Sequence, residues 1–209
     1  MINIKVYPVT EIGTNCCYLI DEATGESAVL DPGGKSDRLL RQIDSDGGKL
    51  TYVLLTHGHY DHICFAKELA DRYGAKIVTG EHNAPFLRDP SLNLTAKHGI
   101  PFKPFEADML LKDGDTFRLG ETEIKYLYTP GHTSGCGVFL MDDIMLSGDL
   151  LFRDSYGRTD LPTGDDYTII QSIKRIKELD GDYTVVPGHG PATTLSYERV
   201  CNPIMRMFK

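Results

Sequence analysis

Apolar and polar side chains alternate over Ile2–Val9, a period of two that predicts a strand at the start of the chain. Two further extended segments, residues 15–21 and Ser27–Leu30, are set off by Gly13 and by the turn-like Thr24-Gly25. The period then changes. After Asp31-Pro32-Gly33-Gly34, residues Leu39, Leu40 and Ile43 recur at helical spacing over 36–43, and Asp46-Gly47-Gly48 ends the run. Tyr52-Val53-Leu54-Leu55 is a short apolar run that predicts a buried strand, followed at once by a polar loop rich in histidine. Residues 61–73 read as a helix, with Ile63, Phe65, Ala66, Leu69 and Ala70 apolar and Gly74 just past its end. Residues 76–79 add another strand.

The stretch 81–105 holds four of the eleven prolines and no sustained period, so it predicts short helices and loop. The second half then repeats the first in style. Strands are expected at Thr116–Leu119, 123–128, 136–141 and 144–146, and a helix over 166–179 buries Ile169, Ile170, Ile173, Ile176 and Leu179 as a stripe. A strand at 183–186 and a short helix at 197–205 complete the pattern. No linker rich in Gly, Ser or Pro separates the halves. Two sheet-plus-helix halves packed sheet to sheet give one α/β domain over residues 1–209, a four-layer αββα sandwich.

Composition narrows the function classes. A chain of 209 residues buries about 70% of its unfolded surface and needs no disulfide to fold. With 41% hydrophobic and 25% charged residues it is an ordinary globular sequence. A net charge of −8 argues against nucleic acid as partner. The five cysteines form no CxxC pair, the N-terminus carries no basic stretch before an apolar core, and no apolar run approaches the roughly 20 residues of a membrane span. These features lead us to expect a cytoplasmic protein with a small-molecule substrate and no membrane contact.

The candidate chemistry lies in Thr56-His57-Gly58-His59-Tyr60-Asp61-His62. Side chains at i and i+2 of an extended segment share a side, so His57 and His59 can share one metal ion, while Asp61 and His62 open the next helix and turn elsewhere. Neutral imidazole and carboxylate suit zinc, iron and manganese. A polar loop capping a helix is the competing explanation, but seven histidines scattered at random would seldom place three in six positions. Three later strand ends supply further candidates, each beside a glycine: His132 after Pro130-Gly131, Asp149 after Ser147-Gly148, and His189 after Pro187-Gly188. One histidine after a Pro-Gly turn would mean little. Four such sites in this order mean a great deal.

The series His57-x-His59-x-Asp61-His62, Gly131-His132, Gly148-Asp149 and Gly188-His189 resembles the metallo-β-lactamase superfamily along nearly the whole chain. Within it the sequence is most similar to the small glyoxalase II-like hydrolases of the short bacterial subgroup. Asp31-Pro32-Gly33-Gly34, Gly157-Arg158-Thr159-Asp160 and Pro187-Gly188-His189-Gly190-Pro191 carry that finer likeness. The resemblance implies two divalent transition-metal ions, zinc by preference and iron or manganese as alternatives. It places one on His57, His59 and His132, the other on Asp61, His62 and His189, and bridges them with Asp149. It further implies attack of a metal-held hydroxide on a 2-hydroxyacyl thioester such as S-lactoylglutathione, with Asp61 also the candidate to orient that group or take its proton.

A persulfide dioxygenase-like protein using one iron, or a lactonase, are the alternative activities. Arg153, Tyr156 and Arg158, downstream of Asp149, are the candidate substrate contacts, with an Arg158–Asp160 ion pair as the competing structural role. His82 and His98 are read as surface residues and Cys136 as a small core residue. The longer relatives carry a C-terminal helical region that holds glutathione, and the expectation here is a chain without it, with weak discrimination among thiol halves.

Overall fold

The structure is a computed structural model, and it describes residues 1–208. Strands β1 (Ile2–Val9), β2 (Thr14–Asp21) and β3 (Ser27–Leu30) form an antiparallel meander. Helix α1 (Asp37–Ser45) is capped by Ser36, whose hydroxyl accepts from the Leu39 amide. It crosses to β4 (Leu50–Leu55), which runs parallel to β3. Helices α2 (Tyr60–Ile63) and α3 (Ala66–Tyr73) lead to β5 (Lys76–Gly80), and after a 3₁₀ turn and the four-residue α4 (Thr95–His98), β6 (Met109–Leu111) closes the first sheet in the order β1-β2-β3-β4-β5-β6.

The second sheet is built from β7 (Thr116–Leu119), β8 (Thr122–Tyr128), β9 (Gly137–Met141), β10 (Ile144–Gly148), β13 (Thr184–Pro187) and β14 (Thr193–Thr194), in spatial order β14-β13-β10-β9-β8-β7. A two-stranded ribbon, β11 (Leu151–Phe152) and β12 (Ser155–Tyr156), stands apart from both sheets. Helix α5 (Asp166–Lys177) precedes β13, and α6 (Leu195–Cys201) follows β14.

Alternation along the strands explains the layering. In β4, Val53 and Leu55 point outward to α1 and α3, where they meet Leu39, Ile43 and Leu69. Leu54 points inward to a second cluster that joins both sheets, with Leu19, Leu30, Ile124, Tyr126, Phe139 and Leu146. On the far side, Val138, Leu140, Met145 and Val185 pack under Ile169, Ile173 and Ile176 of α5 and Leu195 of α6. Both faces of each central strand are therefore buried, and the four-layer αββα sandwich expected from the sequence is present. The strands β4, β10 and β13 all discharge their chains at one edge of the sandwich. There the sheets are tied together, with the Asn15 amide donating to the Gly188 carbonyl at 2.7 Å and the Asn15 side chain donating to the carbonyls of Pro187 and Gly190.

Several boundaries differ from the sequence reading. The single helix expected over 61–73 is two, because the Phe65 amide donates to the Pro32 carbonyl at 2.9 Å in place of an intrahelical acceptor. The last helix, expected over 197–205, runs Leu195–Cys201 and is followed by a 3₁₀ turn at Met205–Met207, with Asn202-Pro203 between them. The short strands β6, β11, β12 and β14 have two or three residues each, too few to show a period.

Candidate metal centre

Each candidate side chain is delivered by the element that precedes it. His57 and His59 follow the buried β4, and Asp61 and His62 lie in the single turn of α2. Asp149 leaves β10 through Gly148, and His189 leaves β13 through Gly188. His132 sits in the turn after β8. All seven residues come together. His57 Nε2, His59 Nδ1 and His132 Nε2 form one group, with His59 Nδ1 3.2 Å from His57 and 3.0 Å from His132. Asp61, His62 and His189 form another, with Asp61 Oδ2 3.2 Å from His62 Nε2 and 3.3 Å from His189 Nε2. Asp149 lies between them. Its Oδ2 is 3.5 Å from His132 and 3.6 Å from His189, and its Oδ1 is 3.6 Å from His62.

Hydrogen bonds from the surrounding residues fix which ring nitrogen faces inward. The Thr56 hydroxyl donates to Asp31 at 2.6 Å, so its oxygen is free to accept from His57 Nδ1 at 3.2 Å. Asp31 also accepts from His62 Nδ1 at 2.9 Å, and the Arg158 carbonyl accepts from His132 Nδ1 at 2.7 Å. In the neutral rings these bonds leave the Nε2 lone pairs of His57, His62 and His132 aimed at the centre. Carboxylate and carbonyl acceptors behind imidazole ligands are the usual support of a metal site. Asp31 holds this position from the left-handed region, φ 49°, where non-glycine residues are strained. Gly33 is needed for the same packing, since a Cβ there would lie 1.4 Å from the Asp61 carbonyl oxygen.

These atoms fit a cation better than they fit one another. One proton on His59 Nδ1 cannot satisfy both neighbouring Nε2 lone pairs, so at least one contact sets lone pair against lone pair. A tetrahedral ion with bonds of about 2.0–2.1 Å places its ligand atoms roughly 3.3 Å apart, close to the spacings observed. His62 Nε2 and Asp149 Oδ1 are buried and have no hydrogen-bond partner.

Electrostatics divides the two groups. Burial lowers the pKa of His57 well below its ordinary value, that of His59 to about 3 and that of His132 below normal, so this triad is neutral and ready to ligate. Burial also disfavours protonated His62, but Asp61, Asp31 and Asp149 outweigh it and raise its pKa. Burial would raise Asp61, yet the His62 charge and the close approach of the His189 and His62 rings hold it well below the carboxylate range.

A cleft of about 570 Å³ opens over this floor. Ile12, Leu94, Phe152 and Leu161 make its walls apolar, and Tyr156 and Arg158 line it as the sequence suggested. Arg153 does not line it. Its guanidinium lies over the Tyr197 ring at 5.2 Å and 3.8 Å from Asp154. Arg158 is committed to Asp160 by two hydrogen bonds of 2.6 and 2.5 Å, and its contact with the centre is through its carbonyl. Cys136 is buried, its thiol is pushed up to about 12 by burial, and it accepts from the Thr133 amide. His82 is exposed and lies against Tyr128. His98 is exposed too, but it lines the cleft, with Tyr60, Leu94 and Lys97. The sequence reading assigned none of these four to the site. Their only sequence signal was proximity to the histidine motif for Tyr60, and for the rest a proline-rich stretch without period.

Comparison with known proteins agrees with the geometry. The chain is 33% identical to the hydroxyacylglutathione hydrolase GloC of Haemophilus influenzae over 208 residues, covering 97% of this chain and 98% of that one. Among solved structures it is similar to the B3 metallo-beta-lactamase BLEG-1, with TM-score 0.90 and 31% identity over 97% of this chain and 99% of that one. It is also similar to TTHA1623 in a di-iron-bound form, with TM-score 0.82 and 28% identity over 95% and 98% of the two chains. Residues 12–189 match the family model of the metallo-beta-lactamase superfamily, and the chain belongs to that superfamily.

Proposed function

We propose that residues 1–209 act as one hydrolase domain with two metal ions, cleaving a 2-hydroxyacyl thioester such as S-lactoylglutathione. The observation that carries this reading is the pairing of two three-residue groups on either side of Asp149, at the floor of a cleft of substrate size. The near full-length likeness to a hydroxyacylglutathione hydrolase supports the thioester over a lactone. His57, His59 and His132 would hold one ion, Asp61, His62 and His189 the other, and Asp149 would touch both.

Bound there, the ions would supply Lewis-acid polarisation of the thioester carbonyl and a water nucleophile active near neutral pH. The protein's own part is positioning. Asp31, Thr56 and the Arg158 carbonyl fix the imidazole rings, and the Thr14 hydroxyl donates to Asp61 Oδ2 at 2.8 Å. Asp61 is a weak base because its neighbours hold it ionised, so we assign it to ligation and to orienting the attacking water. The apolar walls would lower the polarity around a bound acyl group, which strengthens charge interactions at the floor. A thiolate leaves without a strong acid, and none is needed from the protein.

The metal set is zinc, iron or manganese, since imidazole and carboxylate suit all three and a similar chain carries two irons. The test is a substrate panel of glutathione thioesters, lactones and glutathione persulfide, assayed with each metal. Thioester hydrolysis that Asp149→Ala abolishes and His82→Ala leaves intact is the expected result. Oxygen uptake on the persulfide without thioester hydrolysis would overturn it.

A further inference from the structure

The cleft wall facing α2 comes from the proline-rich stretch after β5, and it is built rigidly. Asn93 is buried, its side-chain oxygen accepting from the Thr95 amide at 3.0 Å and hydroxyl at 2.6 Å, and its amide group donating to the Phe86 carbonyl at 2.9 Å. The Tyr60 amide donates to the Asn93 carbonyl at 2.9 Å, which pins this wall to the first residue of α2. The His98 ring then lies on the Tyr60 ring, 4.6 Å between centroids. Lys97, on the intervening turn of α4, is thereby held on the cleft.

The charges around the cleft are almost all spoken for. Asp61 and Asp149 belong to the floor, and Arg158 is clamped by Asp160. Lys97 alone among the lysines and arginines lining the cleft has no ion-pair or hydrogen-bond partner among the described residues. Hydrogen bonds from Arg158 hold the Asp160 carboxyl at about 2, and the Lys97 charge adds a smaller push in the same direction. In a chain of net charge −8, an unpaired cation at the entrance attracts anions that the rest of the surface repels.

We propose that Lys97 is a specificity-determining residue, selecting substrates that carry a carboxylate on the part remote from the reacting carbonyl. It rests on the hydrolase reading above. An ion pair at a half-open site changes affinity modestly and specificity visibly, because neutral analogues gain nothing from it.

The test compares S-lactoylglutathione with the uncharged S-lactoyl-N-acetylcysteamine on the metal-loaded enzyme. Lys97→Ala should lower kcat/KM for the glutathione thioester by about three- to fivefold, through KM, and change the neutral thioester by less than about twofold. Lys97→Arg should restore the difference and Lys97→Glu should deepen it. Equal losses on both substrates, or no loss on either, would overturn the proposal. Calorimetric titration with S-methylglutathione separates this claim from the thioesterase reading. If the enzyme hydrolyses neither thioester, that reading falls, while weaker S-methylglutathione binding by Lys97→Ala still upholds Lys97 and unchanged or absent binding refutes it.

Discussion

Asp31 shows how one residue outside the ligand set governs it. Its carboxylate accepts from His62 Nδ1, from the Thr56 hydroxyl and from the Thr56 amide at 2.8 Å, so it orients His62 directly and His57 through Thr56. Removing such a support usually lowers metal affinity about 10- to 100-fold. Asp31→Ala should show that loss in a competitive chelator titration, and an unchanged affinity would assign Asp31 a purely structural role. Gly188 is the second test at this scale. A Cβ there would stand 2.2 Å from Asp149 Oδ1, so Gly188→Ala must displace the side chain between the two groups. Turnover should fall by more than about tenfold, as misplacement near 1 Å commonly costs about 100-fold. Turnover close to wild type would show that Asp149 has room to move.

Five of the ligand candidates, His57, His59, His132, Asp149 and His189, were legible because histidine or aspartate beside Gly, after apolar runs, is a rare combination, and Asp61 and His62 because they extend the first of these motifs. The part played by Asp31 was not legible. Its Asp-Pro-Gly-Gly context stood out only as a family mark, since the partner His62 lies 31 positions away. Lys97 was invisible for a similar reason: nothing local distinguishes a cleft lysine from a solvated one.

At the scale of elements, Asp21 links the two halves of the sandwich. It sits at the end of β2 and accepts from Thr24 and, at 2.7 Å, from the hydroxyl of Thr122 in β8. Burial pushes its carboxyl up, but the hydrogen bonds from Thr122 and Thr24 outweigh that and hold it at about 2. An unfolded aspartate titrates near about 3.9. The folded value is depressed, so Asp21 contributes its full stability above about pH 4 and loses it as pH falls toward about 2. Urea unfolding of metal-free protein should show this loss between those values, and Asp21→Asn should flatten it. At neutral pH Asp21→Ala should cost about 1–3 kcal/mol, because buried donors lose a charged acceptor. A pH dependence identical in wild type and Asp21→Asn would reject the assignment. Period alone located the long strands and α5. It missed the break between α2 and α3, because the acceptor that interrupts the helix, the Pro32 carbonyl, comes from a distant turn.

For the whole molecule, the four layers followed from two repeats of strand and helix with no linker between them. The edge at which β4, β10 and β13 end was implied by where the histidines fall, since ligands at four strand ends or turns can meet only if those ends share one side. What required the structure was the cleft above that edge, whose walls come from the stretch after β5 and from β11 and β12. Among the described residues no helix is long and apolar enough to cross a membrane. The division of six ligands around Asp149 is the central claim, and metal stoichiometry tests it most directly. Elemental analysis of the saturated, desalted protein should give about two ions per chain, with His59→Ala and His189→Ala each giving about one. One ion in the saturated wild-type protein, with both variants unchanged from it, would contradict a centre built for two.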